Sequence, residues 1–187
     1  MRLFVAAEIP STIRERLAEL LKALREVSPQ TRWVRPENLH VTLKFIGEVP
    51  QTKLAAIRAA LAQVRSEQAV MMNFKGLGFF PNEEHPRVLW AGIDASPNLK
   101  ILAADIEQAT ETLGIASEQR PFLPHLTLAR FESQRLTVKL RAAIQENAGR
   151  DFGSLHTNRF HLIESKLKPS GAEYTTVESF SFTTAEA

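Results

Sequence analysis

One tetrapeptide pattern occurs twice in this 187-residue chain, as His40-Val41-Thr42-Leu43 and as His125-Leu126-Thr127-Leu128, 85 residues later. With only five histidines in the sequence, chance would supply roughly 0.04 copies of His-x-Thr-Leu. Two copies, one in each half, point to an internal duplication. In an extended strand, residues i and i+2 share a face. His40 and Thr42 then lie on one side with Val41 and Leu43 on the other, and His125 and Thr127 are separated from Leu126 and Leu128 in the same way. Each motif reads as a half-buried strand that sinks its apolar pair and presents an imidazole and a hydroxyl to a cleft. A pseudo-two-fold axis relating the halves would set the two imidazoles facing each other.

The rest of the chain supplies the two halves. Residues 2–8 read as a short buried strand. Pro10-Ser11-Thr12 opens a helix in which Thr12 and Glu15 are spaced as a capping box, with Ile13, Leu17, Leu20, Leu21 and Leu24 on one face. A strand near Trp33 and one from His40 to Ile46 follow. Leu54, Ile57, Leu61 and Val64 mark a second amphipathic helix. Residues 69–80 and 87–94 read as strands around the turn-rich segment 81–86. Ser96 and Pro97 are placed as N-cap and first helical residue of a helix that Gly114 stops. Beyond it come a strand over 125–131, a helix over 135–147, and closing strands over 152–164 and 173–182 around Lys168-Pro169-Ser170-Gly171. From about residue 87 the second series repeats the element types of the first. The expectation is an α+β protein in which residues 1–187 form one domain of two intertwined lobes, each carrying one motif.

Composition narrows the chemistry. The absence of cysteine excludes disulfides, thiolate metal sites and cysteine nucleophiles. Glu8 interrupts the first apolar run too early for a secretory signal, and no later run is long enough to span a membrane. A cytoplasmic monomer is expected. A formal charge of +2 permits an anionic ligand without requiring one.

Two imidazoles facing one another suit in-line displacement at phosphorus. One takes a proton from the attacking hydroxyl or water, and the other returns one to the departing oxygen. Histidine titrates near neutrality and serves in either role. The Thr42 and Thr127 hydroxyls are placed to donate to the non-bridging oxygens, where negative charge gathers. Such a site needs no metal and no cofactor. His85, His156 and His161 lack this pattern and read as structural or surface residues.

At these residues the sequence resembles the two-histidine (2H) phosphoesterase superfamily, and within it the RNA 2′,3′-cyclic phosphodiesterase branch, also called 2′-5′ RNA ligase. The likeness extends over Arg2-Leu3-Phe4-Val5-Ala6, Glu37-Asn38-Leu39 before the first motif and Phe45-Ile46-Gly47 after it. It continues through Gly76 to Pro81, Leu89-Trp90-Ala91-Gly92, Phe122-Leu123-Pro124 and Glu164-Ser165-Lys166-Leu167. The resemblance implies a bilobal fold of two pseudo-symmetric antiparallel sheets lining a central cleft, with helices outside. It implies hydrolysis of a 2′,3′-cyclic phosphate to a 2′-phosphate and, in some members, ATP-independent joining through a 2′-5′ linkage. Carried over by motif position, His40 and His125 are the catalytic pair, Thr42 and Thr127 bind phosphate, and Arg130 contacts the phosphate or nucleotide. Strict alternation would turn Arg130 away from His125, so that role requires the strand to bulge or end there. The implied partners are RNA carrying a 2′,3′-cyclic phosphate or a 2′-5′ linkage, and nucleotides. Arg35, Lys44, Lys75, Arg87, Arg120 and Lys166 are the further basic residues available to hold it.

Two other readings compete. Lys75-Gly76-Leu77-Gly78-Phe79-Phe80 approaches the strand signature of an RNA-recognition motif, which would make the chain a non-catalytic RNA-binding module. Leu77 stands where a stacking aromatic belongs, and Pro81 ends the strand early. A metallohydrolase would need a carboxylate or third imidazole beside the motifs; Asp105 and Asp151 lie far along the chain. No Gly-x-Ser-x-Gly elbow supports a serine hydrolase.

Overall fold

The computed structural model describes residues 1–132 and 135–183. A continuous apolar run, Leu3 to Ala7, builds the first strand, β1 (Arg2–Glu8), and is buried on both faces. Leu3, Val5 and Ala7 point into the main core, while Phe4 and Ala6 join Ile163 in a small second cluster on the opposite face. Helix α1 (Ser11–Val27) follows and buries the five residues on its predicted stripe. Pro10 occupies its N-cap and no side chain caps it, so the Thr12–Glu15 capping box is not formed. The short strand β2 (Arg32–Trp33) and a single turn at Pro36–Asn38 lead into β3 (His40–Glu48), then α2 (Leu54–Leu61) and β4 (Val70–Phe80).

The second series runs β5 (Val88–Ala95), α3 (Asn98–Glu111), β6 (His125–Arg130), α4 (Val138–Glu146) and β7 (Asp151–Thr157). The chain closes with β8 (Arg159–Lys168) and β9 (Gly171–Ser181). Two of these elements differ from the sequence expectation. Helix α3 starts after Ser96-Pro97, because the Ser96 hydroxyl is otherwise engaged: it accepts the Met71 N–H at 2.9 Å and ties the helix entry to β4. The strand expected over 152–164 is two strands in different sheets, parted at Asn158, because a continuous β-rich run does not record which neighbour each half pairs with.

All sheet pairing is antiparallel. One sheet has the order β3-β1-β8-β9, the other β2-β6-β5-β4-β7. Thus β4, from the first series, extends the sheet holding the second motif. Strands β8 and β9, from the chain's end, extend the sheet holding the first. Helix α1 packs on α4 and β7, and α3 packs on α2, β3 and β4. One apolar core of Leu, Ile, Val and Phe side chains runs through both sheets. No helix among the described residues is long and apolar enough to cross a membrane.

Candidate active site

Strand β3 from His40 and strand β6 from His125 show one burial sequence over six residues: half-buried, buried, half-buried, buried, buried, exposed. The repeat of two adjacent buried positions has a common cause. Thr42 pairs with Ala6 and Lys44 with Val5, leaving Leu43 as an extra residue; Thr127 pairs with Trp90 and Ala129 with Leu89, leaving Leu128 extra. Each motif therefore carries a β-bulge at its leucine, which resets the alternation. The fifth residue after each histidine returns to the histidine's face. At the second motif that residue is Arg130, so the bulge supplies the condition under which Arg130 shares a face with His125 and Thr127. At the first it is Phe45, 62% exposed and with its ring 6.3 Å from Phe4. Phe45 escapes strict period-2 reading for the same reason that Arg130 was ambiguous.

The two motif strands lie alongside each other, β3 at the free edge of its sheet and β6 near the edge of the other. A short piece of chain gauges their separation. Arg32 and Trp33 pair with Arg130 and Ala129, and the Val34 N–H donates to the Leu128 carbonyl at 2.8 Å. Only the turn at Pro36–Asn38 then separates this anchor on the second motif from His40 on the first.

Both imidazoles are oriented alike. His40 Nδ1 lies 2.5 Å from the Asn38 carbonyl, and His125 Nδ1 lies 2.8 Å from the Leu123 carbonyl. A carbonyl only accepts, so each Nδ1 carries the hydrogen and each neutral ring keeps the Nε2 lone pair for chemistry. This repeated contact to residue i−2 fixes the tautomer in the same sense twice.

Their surroundings differ. The His40 ring stacks on Phe4, with centroids 4.7 Å apart and planes at 29°, and meets the edge of Tyr174 at 5.2 Å. Burial pushes its pKa down to about 4; the Asn38 contact opposes this and the Arg14 guanidinium adds to it. Removing water from a cation is costly, which is why enclosure favours the neutral ring. His125 instead meets Phe80 edge-on at 4.8 Å, and Phe80 lies 5.3 Å from Trp90. The Trp90 indole covers Gly78, where any side-chain carbon would collide with it at 2.2 Å. Its buried Nε1 has no hydrogen-bond partner among the described residues.

The chain before His40 is fastened from two directions. Arg14 on α1 donates to the carbonyls of Pro36 at 2.6 Å, Ile9 at 3.2 Å and Leu39 at 3.4 Å. From the other side the β8–β9 hairpin curls over: Arg35 donates to the Ser170 carbonyl, and Asn38 Nδ2 to the Ala172 carbonyl at 2.9 Å. Neither Arg14 nor Tyr174 stands out by sequence pattern, because both act through tertiary contacts.

Other residues singled out by sequence fall elsewhere. Lys44 is withdrawn from any ligand-holding role: its ammonium is buried and paired with Glu107, because the bulge at Leu43 turns it inward. Arg120 pairs with Glu118 at 3.1 Å and Lys166 with Glu164 at 3.4 Å, while Lys75 and Arg87 are exposed. His85 and His156 are exposed. His161 is buried; its Nδ1 lies 2.8 Å from the Ser179 hydroxyl, its Nε2 is 3.9 Å from Glu8, and burial lowers its pKa. Of the strand resembling an RNA-recognition motif, Phe79 packs on the core and on Phe131, and Phe80 on Trp90 and His125. Those rings do not form an open stacking platform. Asp105 lies within α3, and Asp151 accepts the Gly153 N–H at 2.8 Å.

Comparison with known proteins draws these observations together. The family model described as LigT like phosphoesterase matches residues 7–90 and again residues 93–174, one motif in each segment. A protein of Archaeoglobus fulgidus named RNA 2′,3′-cyclic phosphodiesterase is 36% identical over 180 residues, covering 96% of this chain and 99% of that one. A Thermus thermophilus protein of the same name is 36% identical over 192 residues, covering 97% and 90%. Among solved structures, TT0787 of Thermus thermophilus superposes with a TM-score of 0.77 at 32% identity, covering all of both chains. Escherichia coli LigT complexed with 3′-AMP superposes with a TM-score of 0.77 at 28% identity, covering 98% of each.

Proposed function

The chain belongs to the LigT-like phosphoesterase family, and from that premise we propose that it is an RNA 2′,3′-cyclic phosphodiesterase whose acid/base pair is His40 and His125. The observation that carries this reading is the duplicated geometry: two bulged strands side by side, each offering an imidazole with Nδ1 tied to the carbonyl of residue i−2 and Nε2 left for chemistry. A non-catalytic binding module would have no need to set the same tautomer twice.

In ring opening, water attacks phosphorus opposite the 3′ oxygen, the P–O3′ bond breaks, and the product keeps the phosphate on O2′. His40, neutral at pH 7 because burial lowers its pKa to about 4, takes the proton from water on Nε2. His125 gives its Nε2 proton to the departing 3′ oxygen. The Thr42 and Thr127 hydroxyls donate to the non-bridging oxygens, and Arg130, on the same face, balances their charge. Phe45 offers an exposed ring on the His40 side for the nucleobase. With a 5′ hydroxyl attacking in place of water, the same P–O3′ bond breaks and the ends are joined through a 2′-5′ linkage; the reverse, in which O3′ attacks and the 5′ oxygen leaves with the two histidines exchanging roles, cleaves that linkage.

Both motifs belong to one chain, and each sheet borrows strands from the other series. These features support one domain of two intertwined lobes; with both histidines in one chain, the reading needs no second copy, and it places the enzyme on RNA ends in the cytoplasm.

The test is turnover of a short RNA ending in a 2′,3′-cyclic phosphate, in excess EDTA, by wild type, His40→Ala and His125→Ala. The reading expects chelator-resistant formation of a 2′-phosphate and a loss of at least about 100-fold in each variant. Wild-type inertness on this substrate, or full activity in either variant, would overturn it.

A further inference from the structure

Lys44 ends the inward-facing pair made by the first bulge, and its side chain is only 2% exposed. Its Nζ donates to Glu107 Oε1 on α3 at 2.5 Å and to the Ala116 carbonyl at 2.7 Å. The same Glu107 oxygen accepts the Glu118 N–H at 3.0 Å. Residues 116–124, which carry the chain from α3 to the second motif, contain no regular helix or strand. At the far end of this segment, the Leu123 carbonyl receives the His125 Nδ1 hydrogen at 2.8 Å, although Leu123 itself is 54% exposed.

We propose that Lys44 is a positioning residue for His125: it fastens the strand of the first motif to the segment that delivers the histidine of the second. The inference rests on the reading of His125 as one of the acid/base pair. An apolar side chain of similar length would fill the same space without a desolvation penalty, so packing alone does not call for a buried ammonium here. What the ammonium adds is directional: one charged centre gathers β3, α3 and the backbone at Ala116, and Glu107 adds Glu118. A segment outside any ladder opens at low cost unless it is tied down. In-line transfer between two imidazoles tolerates little error in their separation. The residues 32–39 gauge that separation from the His40 side, and Lys44 does so from the His125 side.

The test uses the full chain carrying Lys44→Met together with Glu107→Leu, which removes both charges and leaves neither one unpaired. The expected result is an unfolding midpoint no lower than wild type, because the pair is replaced by apolar groups of similar size. kcat on an RNA 2′,3′-cyclic phosphate falls about 10- to 100-fold while KM changes less than about 3-fold. In ¹⁵N NMR the His125 Nδ1–H signal shifts or broadens, and that of His40 stays in place. A stable double variant with wild-type kcat and an unaltered His125 resonance would overturn the inference. Hydrogen exchange on wild type gives a second reading that needs no variant: the Glu118 amide should exchange as slowly as those of β6, and a solvent-like rate would refute the tie. If wild type does not open the cyclic phosphate, the proposed reaction fails while exchange at Glu118 and the His125 resonance still decide the role of Lys44.

Discussion

The two motifs share a strand, a bulge and a tautomer, yet the contacts around their imidazoles differ. Around His40 the chain is clamped by Arg14 on one side and by the β8–β9 hairpin on the other, and the rings of Phe4 and Tyr174 flank the imidazole. Around His125 the one ring contact among the described residues is Phe80, and the preceding segment is fastened at Ala116 and Glu118 rather than beside the histidine. Duplication has kept the geometry that proton transfer needs and let the dielectric surroundings diverge. The proposed mechanism needs both rings to work on one phosphorus, and their equal orientation suits that. Burial lowers the proton affinity of His40 and keeps its ring neutral near pH 7, as the base of the proposed reaction must be.

If the pair works as a unit, the largest effect is also non-additive. Each single histidine-to-alanine change should cost about 10²- to 10⁴-fold in kcat, and the double change no more than about 10-fold beyond the worse single. Rate assays showing the two losses multiplying fully would mean that the histidines serve separate steps. The bulge-returned residues give the next contrast. Arg130→Ala should lower kcat/KM about 10- to 100-fold on any substrate if, as proposed, Arg130 makes a charge-assisted contact to phosphate. Phe45→Ala should raise KM about 5- to 30-fold for RNA and have no effect on a cyclic phosphate lacking a base.

Enclosure itself can be exchanged. His40 is neutral down to about pH 4 because it is buried, so Tyr174→Ala should move the acid limb of kcat/KM upward, toward the ordinary value of about 6.5. Phe80→Ala, beside His125, should leave that limb where it is. The smallest effect is on stability. As pH falls below about 6.5, the unfolded chain gains a proton at residue 40 that the native chain refuses until about pH 4. The unfolded state then binds more protons, so urea midpoints should decline across this window, and the part of the decline due to residue 40 is complete below it. His161, lowered in the same direction by burial, adds to the slope, and His40→Gln should flatten it in part.

The strands and helices near the motifs were legible because their apolar residues keep a period of 2 or 3.6, as in Val41 and Leu43, or Ile13 to Leu24. The catalytic candidates were legible because the same side chains recur at the same spacing. What alternation could not show was the bulge, since Leu43-Lys44 and Leu128-Ala129 look like ordinary strand residues. That bulge moves Lys44 from cleft to core and Arg130 to the histidine's face. The division of 151–168 between two sheets was hidden as well, because pairing partners lie far along the chain. The contacts that enclose His40 come from Arg14, Ser170, Ala172 and Tyr174, which no local pattern connects to it.

A tautomer shared by two rings and a lowered proton affinity at His40 stand at the centre of this mechanism, and a ¹⁵N–¹H NMR titration of the histidines reads both properties at once. It should show Nδ1–H on His40 and His125 alike, with His40 neutral until about pH 4 and its titration shifted upward in Tyr174→Ala. An Nε2–H tautomer at either residue, or a His40 that titrates near about 6.5, would contradict it.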